Sequence, residues 1–550
     1  MFTLGINAAF HDSAACIIQD GILIAAAEEE RLTHIKHAKR PIPFSTYELP
    51  FHAIDYCLKE AGVHLREVEH IAYSFDPHIN RISVYPGLDE VFLSAINNAP
   101  NHLVSGYPHH LQERFDGINT DDFTWHYVDH HLAHAASAFI CSPFKKSAIM
   151  TIDGRGENVS TTYYKGRNNE IEKISEVLIP SSLGLLYEDV TSHLGFLRSS
   201  DEYKVMALAS YGKAVYLDVF RAMIRVDKNG IYKIDKYNLE EKLGPMRKRN
   251  EAFTQKHFDI AHSLQKVLEE TVVQLAGWLH TTTQEENLCL AGGVALNCVS
   301  NTAIKEKSGF KNIWVQPASG DSGTALGAAL WIDAKLRNSG ERKFEMTHTY
   351  WGPQYSDAEV ERFLKWTKVP YRKLDNIAKE TAKILSEDKI IAWFQGKMEF
   401  GPRALGSRSI LASPISENMQ ARLNDIKDRE DFRPVAPVVL EEDAGDWFEG
   451  ASYSPFMLFV YNVKEDKADK IPAVRHVDGT ARIQTINNQQ HPCYYALLSE
   501  FKKLTGVPVL VNTSFNTRGE PIVCTPRDAI ECFWTSPFDA LIINSFILEK

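Results

Sequence analysis

Twice along this chain an apolar strand runs into a polar turn, then a second strand, a tight hairpin and a third strand, and this recurrence restricts the fold more than any other feature. In the first copy the strands are read at residues 4–7, 14–18 and 22–27, with Asp20-Gly21 as the hairpin pair. In the second they are read at 148–153, 160–165 and 171–178, with a turn at Gly154-Arg155-Gly156 and a hairpin over 166–169. Two such units predict a duplicated fold. At 550 residues the chain also exceeds one ordinary hydrophobic core, so two or more domains are expected.

Apolar residues at helical spacing follow over 258–283, then a short strand at 287–290 that ends in Gly292-Gly293 before another helix. A polar stretch over 333–352 closes in Trp-Gly-Pro, which places a boundary between a domain of residues 1–345 and one of residues 355–550. The second begins with helices at 357–368 and 377–387 and a strand at 390–394, and its loops are rich in arginine.

With 44% hydrophobic and 24% charged residues the composition is that of an ordinary globular protein. A net charge of -11 argues against nucleic acid and anionic membranes as partners. The eight cysteines include no Cys-x-x-Cys pair and read as reduced thiols of a cytoplasmic protein. The N-terminus lacks the basic and apolar regions of a signal peptide, and the uncharged stretch 287–304 is too polar to span a bilayer.

His130 and His134 are four residues apart, on one face of a helix that the Ala-rich continuation favours. Two imidazoles so placed can share a metal ion, with Asp153 and Asp321 as candidate carboxylates. Such a shell suits iron(II), zinc or manganese. The bland alternative is a buried helix whose histidines only form hydrogen bonds.

Taken together, the motifs resemble the carbamoyltransferases of the nodulation-protein, cephem and aminoglycoside type. They are Gly5-Ile6-Asn7, Phe10-His11-Asp12-Ser13-Ala14-Ala15, Glu28-Glu29-Glu30-Arg31, the His130-His131-Leu132-Ala133-His134 run, Asp153-Gly154-Arg155-Gly156-Glu157 and Glu202-Tyr203-Lys204-Val205-Met206. Leu290 to Asn297, Gly401-Pro402-Arg403-Ala404-Leu405-Gly406-Ser407-Arg408, Phe432-Arg433-Pro434 and Asn512-Thr513-Ser514-Phe515-Asn516 complete the series. The resemblance implies an α/β protein, with a duplicated actin-like N-terminal domain similar to the tRNA threonylcarbamoyl transferases and a C-terminal YrdC-like domain. It implies that the second domain makes carbamoyladenylate from carbamoyl phosphate and ATP with Mg2+. The first then passes the carbamoyl group to a hydroxyl of a small metabolite, with iron(II) as the expected metal at His130, His134, Asp153 and Asp321. The family's Gly and Pro after Met206 are here Ala207 and Ser210.

On this reading His11 is the base that deprotonates the acceptor, and Asp12 either orients it or serves the nucleotide. Glu202, Lys204, Gly292, Gly293 and Asn297 are expected at the nucleotide, the glycines because they let phosphate approach the backbone. Arg403, Lys427, Arg433 and Arg482 are expected to hold carbamoyl phosphate and ATP, with Ser514 and Asn516 donating to phosphate. Arg518 belongs to the same set of loop arginines, and Arg408 and Arg429 serve either as anion ligands or as surface ion-pair partners. A tRNA-modifying threonylcarbamoyl transferase and a non-catalytic actin-like nucleotide-binding regulator are the competing readings. The acidic charge weighs against the first, and the metal and anion sets weigh against the second.

Overall fold

The computed structural model describes residues 1–8, 10–38, 49–79, 111–119, 121–337, 341–517 and 519–550. They form two compact units, Met1–Thr33 with His37–Met346, and His34–Lys36 with Thr347–Lys550. The polar stretch at 333–352 begins inside a helix, Ser322–Arg337, because its first residues still continue the buried face of that helix.

The first unit holds two five-stranded sheets of one plan. One runs Ile22–Glu28, Ala14–Gln19, Phe2–Asn7, His70–Tyr73, Thr124–Tyr127, and the other Glu170–Leu178, Val159–Arg167, Lys146–Ile152, Asn287–Ala291, Asn312–Val315. In both, the first three strands in chain order are antiparallel neighbours, and the last two lie parallel to the first. Hairpins suffice for the antiparallel part, whereas the parallel strands need helical crossovers such as Gln255–Thr283 and Cys298–Lys307. The repeated order makes two lobes of an actin-like fold, as the duplicated strand pattern predicts.

Each lobe's last strand leads into a helix that packs on the sheet of the other lobe. His130–Phe139 follows Thr124–Tyr127 yet lies on Lys146–Ile152 and Asn287–Ala291. Ser322–Arg337 follows Asn312–Val315 yet lies on Phe2–Asn7 and Ala14–Gln19. The two helices pack on each other, and small residues permit it. A Cβ on Gly327 would stand 1.8 Å from the Ala133 carbonyl oxygen, and one on Gly5 would stand 2.1 Å from that of Ala325.

The second unit is built on an eight-stranded mixed sheet. Its central strands Ile391–Phe394, Arg408–Ala412, Val509–Ser514 and Ala436–Leu440 are successively antiparallel. They are almost wholly buried. The helices Ile377–Ser386 and Pro492–Thr505 pack together beside them.

Gly327→Ala should therefore force the two interlobe helices apart and lower stability by about 1–3 kcal/mol, as overpacking of a close contact does. Urea unfolding of variant and wild type checks this, and an unchanged midpoint would contradict the close approach.

Candidate metal centre and anion site

The crossed helices bring four ligand-type side chains together. His130 and His134 occupy the first turns of one helix, Asp321 immediately precedes the other, and Asp153 follows the strand Lys146–Ile152. One ligand atom from each lies within 4.8 Å of the others. The Nε2 atoms of His130 and His134 are both 3.3 Å from Asp153 Oδ2, and they stand 3.6 and 3.8 Å from Asp321 Oδ1. All four side chains are buried.

Their charges are strongly coupled. Burial opposes the imidazolium of His130, but hydrogen bonds and attraction from Asp153 and Asp321 hold its pKa well above the ordinary range. Burial likewise opposes the Asp153 carboxylate, and His130 with His134 holds it well below. A divalent cation would take the place of the imidazole protons between these carboxylates, so the donor set fits a metal ion. The set contains no thiolate and thus leaves iron(II), zinc and manganese open.

Outer partners fix the ligands. The His130 ring bonds the Ser74 carbonyl through Nδ1 (3.2 Å), which leaves Nε2 toward the carboxylates. Glu157, fully buried, accepts from the backbone N–H of His130 at 3.0 Å and of Asp76 at 2.8 Å. Asp129 caps the same helix by accepting from Leu132 N–H. Thr324 donates to Ser74 Oγ and so ties the Asp321 helix to the same strand end. His131 turns away and bonds Thr151 (2.8 Å).

Beside this centre stands His11. Its backbone N–H donates to Asp321 Oδ2 at 3.4 Å, and its Nδ1 lies 2.8 Å from Asp12 Oδ2. Burial lowers its pKa, but Asp12, Asp321 and Asp153 more than reverse this and hold it at about 10. A divalent cation held by Asp153 and Asp321 would offset their part of that rise. Asp12 also holds a second imidazole, His37, whose Nδ1 is 2.7 Å from Oδ1.

The residues expected at a nucleotide have visible structural partners. The backbone N–H groups of the two glycines are engaged within the protein: Gly292 N–H donates to Ser319 O at 2.8 Å, and Gly293 N–H to Asp153 Oδ1 at 3.0 Å. Gly292 has φ +93°, and a Cβ there would strike the Ile152 carbonyl at 2.2 Å, so its close approach is to the strand carrying Asp153. Asn297 caps Cys298–Lys307 and bonds Gln265. Glu202 begins the helix Glu202–Leu208, where burial and the nearby Glu188 push its pKa to about 7. Lys204 pairs with Asp201 at 3.2 Å. Ala207 falls inside that helix, where alanine is favoured over glycine.

In the second unit the structure clusters Lys427, Arg429, Arg433, Ser514 and Asn516. Lys427 is buried, and its ammonium donates to Asn516 O and Oδ1 (both 2.8 Å) and to Ser514. It thus braces the loop that was expected to meet phosphate, rather than reaching outward itself. Burial, then Arg429 and Arg433, depress its pKa well below the ordinary range, a crowding of positive charge that an anion would relieve. Arg433 lies 3.6 Å from Glu430. Arg429 bonds Asn424. Arg403 sits on a loop tied by Leu405 O to Gln484, two residues past Arg482. Arg518 lies outside the described residues.

Arg408 corrects the expectation of an anion ligand or surface ion pair. It is fully buried, donates to the carbonyls of Gln395, Gly396, Ser407 and Pro353, and lies 3.6 Å from the Phe394 ring centroid. Its place at the start of a central strand, not in the loop before it, turns its side chain inward. Sequence reasoning also missed Glu157 and His37. Glu157 stood at the end of a quoted motif, but its target is a backbone N–H brought near by folding; His37 carried no spacing signal.

Residues 3–330 match a family model described as the carbamoyltransferase N-terminus, and residues 382–550 one described as the carbamoyltransferase C-terminus. An uncharacterized protein of Synechocystis sp. is 38% identical over 604 aligned positions, covering 100% of this chain and 96% of that protein. Nodulation protein NolNO of Sinorhizobium fredii is 39% identical over 560 positions, covering 99% of this chain and 80% of NolNO. A solved structure of HypF from T. kodakarensis aligns with 61% of this chain and 48% of its own at 12% identity and TM-score 0.36.

Replacing His130 and His134 together by alanine should abolish bound metal, read by elemental analysis of the purified chain. Glu157→Ala, with both imidazoles present, should weaken metal affinity about 10- to 100-fold, the usual loss for an outer-shell partner. Unaltered affinity in that variant would make Glu157 a helix support alone.

Proposed function

This chain belongs to the carbamoyltransferase family, and on that premise we propose that it is an ATP-dependent O-carbamoyltransferase acting on a small hydroxylated metabolite, such as an antibiotic or another natural product. The observation that carries this reading is the buried His130, His134, Asp153 and Asp321 set with the His11–Asp12 pair against it. Transfer of a carbamoyl group needs a base for a weakly acidic hydroxyl and positive charge beside the reacting carbonyl; His11 would supply the first, and a metal ion held by the four ligands would supply the second.

The second unit is proposed to form carbamoyladenylate from carbamoyl phosphate and ATP: one water cleaves carbamoyl phosphate to carbamate and phosphate, and a carbamate oxygen then bonds to the α-phosphorus of ATP as pyrophosphate leaves. Its crowded cations Lys427, Arg429 and Arg433 support anion binding there, and Arg403 and Arg482 extend the proposed site. In the first unit, His130, His134, Asp153 and Asp321 would hold iron(II), which supplies Lewis acidity toward an oxygen of the carbamoyl donor. His11, its Nδ1 on Asp12, presents Nε2 to the acceptor hydroxyl and takes its proton. The acceptor oxygen bonds to the carbamoyl carbon, the bond to the adenylate phosphate breaks, and AMP leaves. The net charge of -11 favours a small acceptor over tRNA.

Incubation with ATP, Mg2+ and carbamoyl phosphate should release pyrophosphate, and adding glucose, kanamycin or chitotetraose should yield a product heavier by one carbamoyl group. No pyrophosphate release would overturn the adenylate route. Arg433→Ala should slow pyrophosphate release about 10- to 100-fold, the loss of a charge-assisted contact worth about 1.5–3 kcal/mol. His11→Ala should leave that release intact while lowering transfer about 10²- to 10⁴-fold; equal loss of both rates would refute the division between the two units.

A further inference from the structure

Three non-glycine residues in the left-handed region converge on one cluster in the first unit: Asp12 (φ 50°), His37 (φ 59°) and Ser199 (φ 57°). Such conformations are costly for side chains with a Cβ and persist where surrounding contacts hold them. Here the contacts are specific. His37 N–H donates to Glu30 Oε2 (2.8 Å), and Glu30 is itself paired with Arg31 (2.8 Å). The His37 ring places Nδ1 2.7 Å from Asp12 Oδ1 and Nε2 2.9 Å from Ser200 Oγ. Asp12 Oδ2 meets His11 Nδ1 at 2.8 Å, and Asn7 donates to the carbonyls of both His11 and Asp12. Ser199 N–H donates to Glu202 Oε1 (2.8 Å), which fixes the turn that carries Ser200.

From this geometry we propose that His37, oriented by Ser200, is a positioning residue for carbamoyl transfer: it clamps Asp12 so that this one carboxylate fixes the tautomer and orientation of His11. The proposal rests on the role given to His11 above. An ionised carboxylate only accepts, so both rings donate Nδ1–H to Asp12. His37 then accepts a hydrogen bond from the Ser200 hydroxyl at Nε2, and His11 in its neutral form is left with Nε2 as its proton-accepting nitrogen. The terminal torsion of an aspartate is broad and nearly two-fold, so a carboxylate held by one oxygen can swing. Held from both oxygens by rings on separate segments, it cannot. The Ser200–His37–Asp12 distances would also suit a serine nucleophile, but Asp12 is shared with His11, which abuts the metal carboxylate Asp321 (3.4 Å), and this favours the positioning role.

The test uses the zinc-loaded full chain with 15N-labelled histidine, the His11 signals assigned by their loss in His11→Asn. Wild type, read at a pH above the titration of His11 so that the ring is neutral, should show it protonated at Nδ1. His37→Ala should give mixed tautomers, and His37→Asn, whose side-chain amide replaces Nδ1–H and whose backbone tolerates the left-handed region, should restore the single one. With kanamycin as the hydroxyl probe, His37→Ala should lower kcat for transfer about 10- to 100-fold at unchanged KM, with pyrophosphate release unaffected. An unchanged His11 tautomer in His37→Ala would overturn the proposal, as would a carbamoyl adduct on Ser200 found by peptide mass spectrometry. The tautomer is read without any acceptor, so a wild-type chain that carbamoylates nothing would count against the proposed function alone.

Discussion

The close contact of two helices across Gly327 and Ala133 is the constraint on which the first unit turns. Each helix leaves one lobe and packs on the sheet of the other, so neither lobe can complete its layer alone. Because an α-helix presents unsatisfied N–H groups at its start, two starts brought together form a natural place for carboxylates. Asp321 precedes one helix, and Asp129 with Glu157 serves the N–H groups of the other. The ligand set is thus a consequence of how the duplicated lobes interlock, and side-chain bulk at Gly327 would be felt at the metal ligands.

Electrostatics then separates what the two units do. The first gathers carboxylates and imidazoles in a buried space, where each group shifts its neighbours and a divalent cation would resolve the competition for protons. The second gathers Lys427, Arg429 and Arg433, where burial first and then the two arginines depress the lysine. This opposite charge crowding in two compact units is what motivates the proposed division into an anion-handling step and a transfer step.

Much of the architecture was legible in the sequence because strand and hairpin grammar is local. The strands expected at 4–7, 14–18 and 22–27 lie within Phe2–Asn7, Ala14–Gln19 and Ile22–Glu28, and the long helix within Gln255–Thr283. The four-residue spacing of His130 and His134 needed only helical geometry to place both rings on one face. Arg408 was misjudged because its neighbours Gly401, Pro402 and Gly406 suggest a loop, while the residue itself opens a central strand whose core surrounds the guanidinium with carbonyls.

By itself, then, the sequence determined the duplicated strand order, the helix that carries two imidazoles and the family motifs, since each depends on residues near one another in the chain. Among those motifs the sequence also named Asp153 and Asp321 as partners of the imidazoles, and the structure brings the four together. Tertiary structure alone decided that Glu157 serves His130 and that His37 reaches Asp12 from 25 residues away. No periodicity encodes such meetings. They follow from crossed helices and left-handed turns, whose geometry is set by packing between segments distant in sequence.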